Sequence, residues 1–286
     1  MTTYKNIYYQ VSDGLQLYAR DYNQADSDQV LLCMHGLSRN SADFEPLCSL
    51  LSDHYRMIVV DQRGRGLSQW DENPERYQLP TYVADMWSLL DQLGLDKVTL
   101  IGTSMGGLMG MVMAAEKPDR IQGLVINDVG PEVAPQGLAR IMSYVGKAKP
   151  IRNWGDAIEQ TQAINQVCFP SFTQQQWQAM AERLYREDSE GVPVPSYDPK
   201  ISQPIASDEA AAVPPDLWPL FEQLRVPMLA IRGQLSDLLS AECFARMQEV
   251  QPATALAVVE GVGHAPVLDE PQAIAAIRGF LTENLA

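Results

Sequence analysis

Val98-Thr99-Leu100-Ile101-Gly102-Thr103-Ser104-Met105-Gly106-Gly107 runs from a short apolar strand into a glycine-punctuated turn, and apolar residues at helical spacing follow from Leu108 to Glu116. In a strand, tight turn and helix of this kind, a serine at the top of the turn is forced into an exposed, strained backbone position. Gly102 and Gly106 leave room for the strand and helix to pass closely. Entry into the helix also points backbone N–H groups, with their partial positive charge, toward any oxyanion that forms beside Ser104. A dinucleotide turn would need Gly-x-Gly-x-x-Gly and a phosphate-binding turn Gly-Lys-Ser/Thr, and this turn has neither. Ser104 is therefore read as a nucleophile.

The pattern continues on both sides. Val30 to Met34, Met57 to Val60, Leu124 to Ile126, Met228 to Ile231 and Ala255 to Val259 are further short apolar runs bounded by turn residues, as buried strands are. Helical spacing recurs between them, at Phe44 to Leu51, Tyr82 to Leu93 and Ile274 to Leu281. This alternation predicts a mainly parallel sheet with helices on both faces. An antiparallel pair over Tyr4 to Gln10 and Leu15 to Tyr22, turning at Asp13-Gly14, is expected at one edge. From about Gly130 to Leu224 the rhythm fails. Amphipathic stretches at Ala157 to Cys168 and Gln174 to Arg186 then predict an inserted helical cap over 131–224, dividing a core of 1–130 and 225–286. Pro193, Pro195, Pro199, Pro204, Pro214 and Pro215 punctuate the return to the sheet.

Composition narrows the function classes. The 286 residues carry 21 Lys+Arg against 36 Asp+Glu, a net charge of −15 that disfavours nucleic acid and anionic membrane surfaces. The four cysteines, Cys33, Cys48, Cys168 and Cys243, lack CxxC spacing and read as reduced, buried thiols rather than a disulfide framework or metal site. No run approaches the roughly 18 to 20 apolar residues of a spanning helix, and the N-terminal stretch lacks secretory features, so a cytoplasmic location is expected.

Two more motifs carry a family resemblance. Met34-His35-Gly36-Leu37 follows a strand, and Asp61-Gln62-Arg63-Gly64-Arg65-Gly66-Leu67-Ser68 follows the next. With the serine turn, in this order, they resemble the His-Gly loop, the Asp-x-Arg-Gly-x-Gly-x-Ser turn and the nucleophile turn of the α/β-hydrolase family. The resemblance spans nearly the whole chain. It implies an α/β-hydrolase fold, Ser-His-acid chemistry and no cofactor or metal. Haloalkane dehalogenase and epoxide hydrolase chemistry are disfavoured, because those relatives carry aspartate at the position of Ser104.

A neutral serine hydroxyl needs a general base, most often histidine, and the chain has three. His35 belongs to the His-Gly loop, where a scaffold role is expected, and His54 sits in a polar helix-end stretch. His264 follows the last strand in Gly261-Val262-Gly263-His264-Ala265-Pro266, where the family places its base. The acid must hold the imidazole tautomer from another strand end. Asp237, after the strand that follows the cap, resembles the family's acid position and is preferred. Asp128, in Asn127-Asp128-Val129-Gly130, is the rival. The resemblance also maps the oxyanion hole onto the backbone N–H groups of Leu37 and Met105. Arg63 is expected to be a salt-bridged structural residue, whereas Arg39 is a candidate for binding substrate. Trp154, Phe169, Phe172, Trp177 and Trp218 are candidates for an apolar acyl pocket, with Trp154 and Trp177 foremost. The expected substrate is a small carboxylic ester or lactone. Carbon–carbon bond hydrolysis of ring-cleavage products and a silent ligand-binding member of the fold are the alternatives.

Overall fold

The computed structural model describes residues 3–147, 149–206 and 216–285, without the side chains of 205 and 206. Strands β1 (Lys5–Gln10), β2 (Gln16–Tyr22), β3 (Val30–Met34), β4 (Arg56–Asp61), β5 (Val98–Thr103) and β6 (Ile121–Asn127) alternate with helices α1 (Glu45–Leu51), α2 (Leu79–Gln92) and α3 (Met105–Glu116). After β6 come α4 (Pro135–Tyr144), α5 (Trp154–Asn165), α6 (Gln174–Leu184), a small antiparallel pair of β7 (Tyr185–Glu187) and β8 (Pro193–Pro195), and two single turns, α7 (Gln203–Ala206) and α8 (Trp218–Phe221). The chain closes with β9 (Met228–Gly233), α9 (Ala241–Val250), β10 (Ala255–Val259) and α10 (Pro271–Leu285). Pro214 and Pro215 lie outside the described residues.

The main sheet has eight strands in the order β1-β2-β4-β3-β5-β6-β9-β10. Its first two pairings are antiparallel and the rest parallel. Strand periodicity explains why the parallel strands read as unbroken apolar runs. In β3, Val30, Leu32 and Met34 pack into the layer covered by α2, α3 and α9, while Leu31 and Cys33 pack into the opposite layer under α1 and α10. Both faces are buried, so neither alternate set can be polar. All four cysteines are free and buried. No helix among the described residues is long and apolar enough to cross a membrane.

Helix α3 starts at Met105, three residues before the apolar pattern suggested, because it takes in Gly106 and Gly107. Close packing demands those glycines. A Cβ on Gly106 would lie 2.0 Å from the Met34 carbonyl oxygen, and one on Gly102 would lie 2.2 Å from that of Gly106. Register then sets the site. Thr103 pairs with Asn127 and Asn127 with Ile231, so β5, β6 and β9 end side by side on one edge. Loops leaving the carboxyl ends of such strands are where open α/β sheets bind ligands.

Candidate active site

Ser104 sits between β5 and α3 with φ 53° and ψ −117°, a left-handed conformation costly for a residue with a Cβ. Its N–H donates to Asn127 O at 2.9 Å, and its carbonyl accepts from Gly107 and Leu108 at the start of the helix. Together these contacts hold the strained turn. The Ser104 hydroxyl lies 3.0 Å from His264 Nε2, and His264 Nδ1 lies 2.8 Å from Asp128 Oδ2. A carboxylate can only accept, so Nδ1 carries the proton and Nε2 is left to accept from the serine hydroxyl.

The carboxylate beside His264 is that of Asp128, not that of the preferred Asp237. Asp128 follows β6 directly, and its own backbone is left-handed, with φ 56°. Its carboxylate is fully buried and reaches across the end of β9, where Oδ1 accepts from Gly233 N–H at 2.7 Å. Oδ2 accepts from the Ser236 hydroxyl at 2.6 Å as well as from the imidazole. Three donors thus replace the water that burial removes. Asp237 is one residue beyond Ser236, but its carboxylate turns to Arg140 of α4, with Nε–Oδ2 at 2.5 Å and Nη2–Oδ1 at 2.9 Å. Burial raises its pKa, but the hydrogen bonds and charge of Arg140 outweigh that and hold it below the ordinary carboxylate range. Ser236 donates to the Asp128 carboxylate, a contact the sequence did not suggest.

Asn127 is another residue that the sequence left unmarked. Fully buried, its Nδ2 donates to Thr103 Oγ1 at 3.0 Å and to Pro266 O at 2.8 Å. One amide therefore ties the end of β5 to the loop that carries His264. The Gly263 N–H of the same loop donates to Cys168 O at 2.6 Å, which joins it to the segment after α5.

The loop after β3 faces the serine. A Cβ on Gly36 would lie 3.5 Å from Ser104 Cβ. His35 is fully buried beneath it, with Nδ1 donating to Gly36 O at 2.7 Å and Nε2 accepting from Gln62 N–H at 3.1 Å. His35 thus holds the peptide whose N–H belongs to Leu37, in keeping with the expected scaffold role. Neither the Leu37 nor the Met105 N–H has an acceptor among the described residues.

Burial lowers the His35 pKa to about 3, although the bond to Gly36 works against the shift. The unfolded chain therefore takes up a proton near pH 6.5 that the folded chain refuses until about pH 3, and stability falls as pH drops through that window. Between pH 7 and pH 5, this group alone should remove about 2 kcal/mol of stability. Urea denaturation of wild type and His35→Asn at both pH values should show a shallower pH dependence in the variant. Equal slopes would contradict the assignment.

A cavity of about 570 Å³ lies over Ser104 and His264, between the core loops and the segment from α4 to β8. Leu37, Phe44, Ile141, Tyr144 and Phe169 supply apolar wall, and the solvent-exposed Lys147 and Lys149 line its outer part. Arg39 also lines it, but its guanidinium is occupied by Asp43 through both Nε and Nη2. Of the five aromatic residues expected to form an acyl pocket, only Phe169 reaches the cavity. Trp177 is buried against Phe169 and Phe172, with ring centroids 6.4 and 5.0 Å away. Trp154 packs beside Ala157 and Tyr185 and donates to Glu187 Oε1 at 2.9 Å. Trp218 lies buried under the Arg246 guanidinium, which is 3.9 Å from its ring centre. Trp154 and Trp177 follow the inward faces of α5 and α6, whereas Trp218 packs into the main core, so none of the three lines the cavity. Arg63 is the structural residue expected: a buried guanidinium held by Asp85, Asp13 and Asp71 at 2.7, 2.8 and 2.6 Å. Among the described residues, no cluster of His, Cys, Asp or Glu could hold a metal ion.

A serine on a strand-to-helix turn, hydrogen-bonded to a histidine backed by a buried carboxylate on an eight-stranded mainly parallel sheet, defines a class: the hydrolases built on this fold. The chain belongs to the α/β-hydrolase family, whose model matches residues 29–271. It is 34% identical over 273 residues to the 3-hydroxybutyrate-oligomer hydrolase of Cupriavidus necator, covering 92% of this chain and 91% of that one. It is 29% identical over 238 residues to the 2-(acetamidomethylene)succinate hydrolase of Mesorhizobium japonicum, covering 83% and 82%. Among solved structures, an α/β hydrolase from Novosphingobium aromaticivorans superposes with a TM-score of 0.93 at 40% identity, covering 99% of each chain. The protein is a hydrolase.

Proposed function

We propose that this protein hydrolyses small carboxylic esters through Ser104, His264 and Asp128, with residues 131–224 acting as a cap that shapes the acyl pocket. The observation that carries the reading is the continuous contact from hydroxyl to buried acid, 3.0 Å to Nε2 and 2.8 Å from Nδ1. In this reading His264 takes the Ser104 proton as Oγ attacks the ester carbonyl, and Asp128 stabilises the imidazolium that results. Leu37 and Met105 N–H groups receive the oxyanion. The tetrahedral intermediate collapses to an acyl-enzyme as His264 returns the proton to the leaving alcohol. A water molecule, deprotonated by the same imidazole, then releases the acid and restores the serine.

Similarity to the Cupriavidus enzyme points to short linear 3-hydroxybutyrate oligomers, whose internal links are carboxylic esters, as the first substrates to try. Lys147 and Lys149 in the outer part of the cavity suit the free carboxylate end of such a chain. The test pairs turnover with labelling. The protein is offered p-nitrophenyl butyrate, a 3-hydroxybutyrate trimer, a lactone and a dienoic carbon–carbon substrate, and a fluorophosphonate adduct is mapped by peptide mass. Ester turnover with the adduct on Ser104 is expected. No ester hydrolysis, or an adduct on another residue, would overturn the reading.

A further inference from the structure

Arg65 is fully buried, yet no carboxylate lies within ion-pair distance of it among the described residues. Its neighbour in the same turn shows the ordinary solution, since Arg63 is met by three aspartates. Arg65 has neutral partners instead. Its Nε donates to Leu37 O at 2.9 Å, and Nη1 donates to Arg63 O at 2.7 Å and to the Tyr82 hydroxyl at 2.8 Å. Nη2 lies 3.9 Å from Met105 Sδ. Two rings flank the guanidinium, with Tyr82 and Tyr77 centroids 4.8 and 5.6 Å from Cζ. Guanidinium stays protonated in proteins, so the charge persists in the core. A buried charge without a counter-ion is costly and persists only where dipoles solvate it or a function uses it.

Its partners show where the charge acts. Leu37 and Met105 are the two residues whose N–H groups form the oxyanion hole in the reading above, on which this inference rests, and Arg65 contacts both. We infer that Arg65 is a positioning residue of the oxyanion hole: it holds the Leu37 loop and leaves its charge unneutralised until the tetrahedral oxyanion forms. A carboxylate partner would cancel that field in the resting protein. Neutral acceptors hold the group in place without doing so, and a preorganised, fully buried charge favours the transition state over the ground state.

The experiment compares two ligands with one carbon skeleton. A trifluoromethyl ketone accepts Ser104 Oγ at its carbonyl carbon, the serine proton passes to His264, and the carbonyl oxygen becomes the oxyanion. The matching methyl ketone binds without that charge. Arg65→Met should weaken the trifluoromethyl ketone by about 30-fold or more and lower kcat similarly, with the methyl ketone and KM changed less than about 3-fold. Arg65→Lys, which keeps the charge, should hold the ratio of the two affinities within about 5-fold of wild type. Equal losses for both ketones in Arg65→Met would reduce Arg65 to a structural role and overturn the inference, as would no loss for either. If Arg65→Met does not fold, Arg65→Lys decides: a collapsed ratio overturns the inference. A wild type that neither turns over esters nor binds the trifluoromethyl ketone would instead defeat the esterase reading itself.

Discussion

Alanine at Ser104 should remove ester turnover almost entirely, lowering kcat by roughly 10⁵- to 10⁶-fold, with the residue left by binding and the oxyanion hole alone. The fold should not suffer. The Ser104 hydroxyl makes its contact with His264, whereas the turn is held by backbone bonds to Asn127, Gly107 and Leu108. Thermal unfolding of Ser104→Ala should therefore stay within a few degrees of wild type. Glycine at the same position separates chemistry from strain. With φ at 53°, the backbone disfavours any Cβ, so Ser104→Gly should be equally inactive but more stable by about 1 kcal/mol. Measurable turnover by Ser104→Ala, above the level of denatured protein, would place the nucleophile elsewhere.

The second large effect distinguishes the two aspartates. Asp128→Asn should lower kcat/KM by about 10³- to 10⁴-fold, because an amide cannot hold Nδ1–H with the same charge and favours the wrong imidazole tautomer. Asparagine also brings a donor into a pocket where Gly233 N–H, the Ser236 hydroxyl and His264 all need an acceptor. Asp237→Asn should change kcat/KM by less than about 5-fold, since its carboxylate faces Arg140. The reverse outcome would restore Asp237 as the acid. Steady-state kinetics of the two variants, with circular dichroism to confirm folding, decides the matter.

Chain order could not have made this choice. Both aspartates lie between Ser104 and His264, and both follow a strand of the parallel sheet, so each satisfies the order serine, acid, histidine. The outcome turns on two contacts far apart in sequence. Arg140, 97 residues before Asp237, draws that carboxylate toward α4. Ser236 and Gly233, more than 100 residues after Asp128, supply the donors that make its burial tolerable. Phe169 reaches the cavity, but the two foremost aromatic candidates do not, for a related reason. Trp154 and Trp177 were marked by type, but the inward face of an amphipathic helix is also where a tryptophan packs, and pattern alone cannot separate a core ring from a pocket wall.

The sheet and the turn that carries Ser104 are legible in the residues alone, because both depend on local rules. Short unbroken apolar runs, helical spacing and the glycines at 102 and 106 act within a few residues of one another, and they set Ser104 at the top of the turn. Tertiary contacts decide which carboxylate meets His264, that Arg39 is taken by Asp43, and that Arg65 lies buried against Leu37 and Met105 with no acid beside it among the described residues. Each of those depends on where side chains from separate strands and helices come together. Competition among buried donors and acceptors for partners is settled by packing, and packing is not written in local spacing.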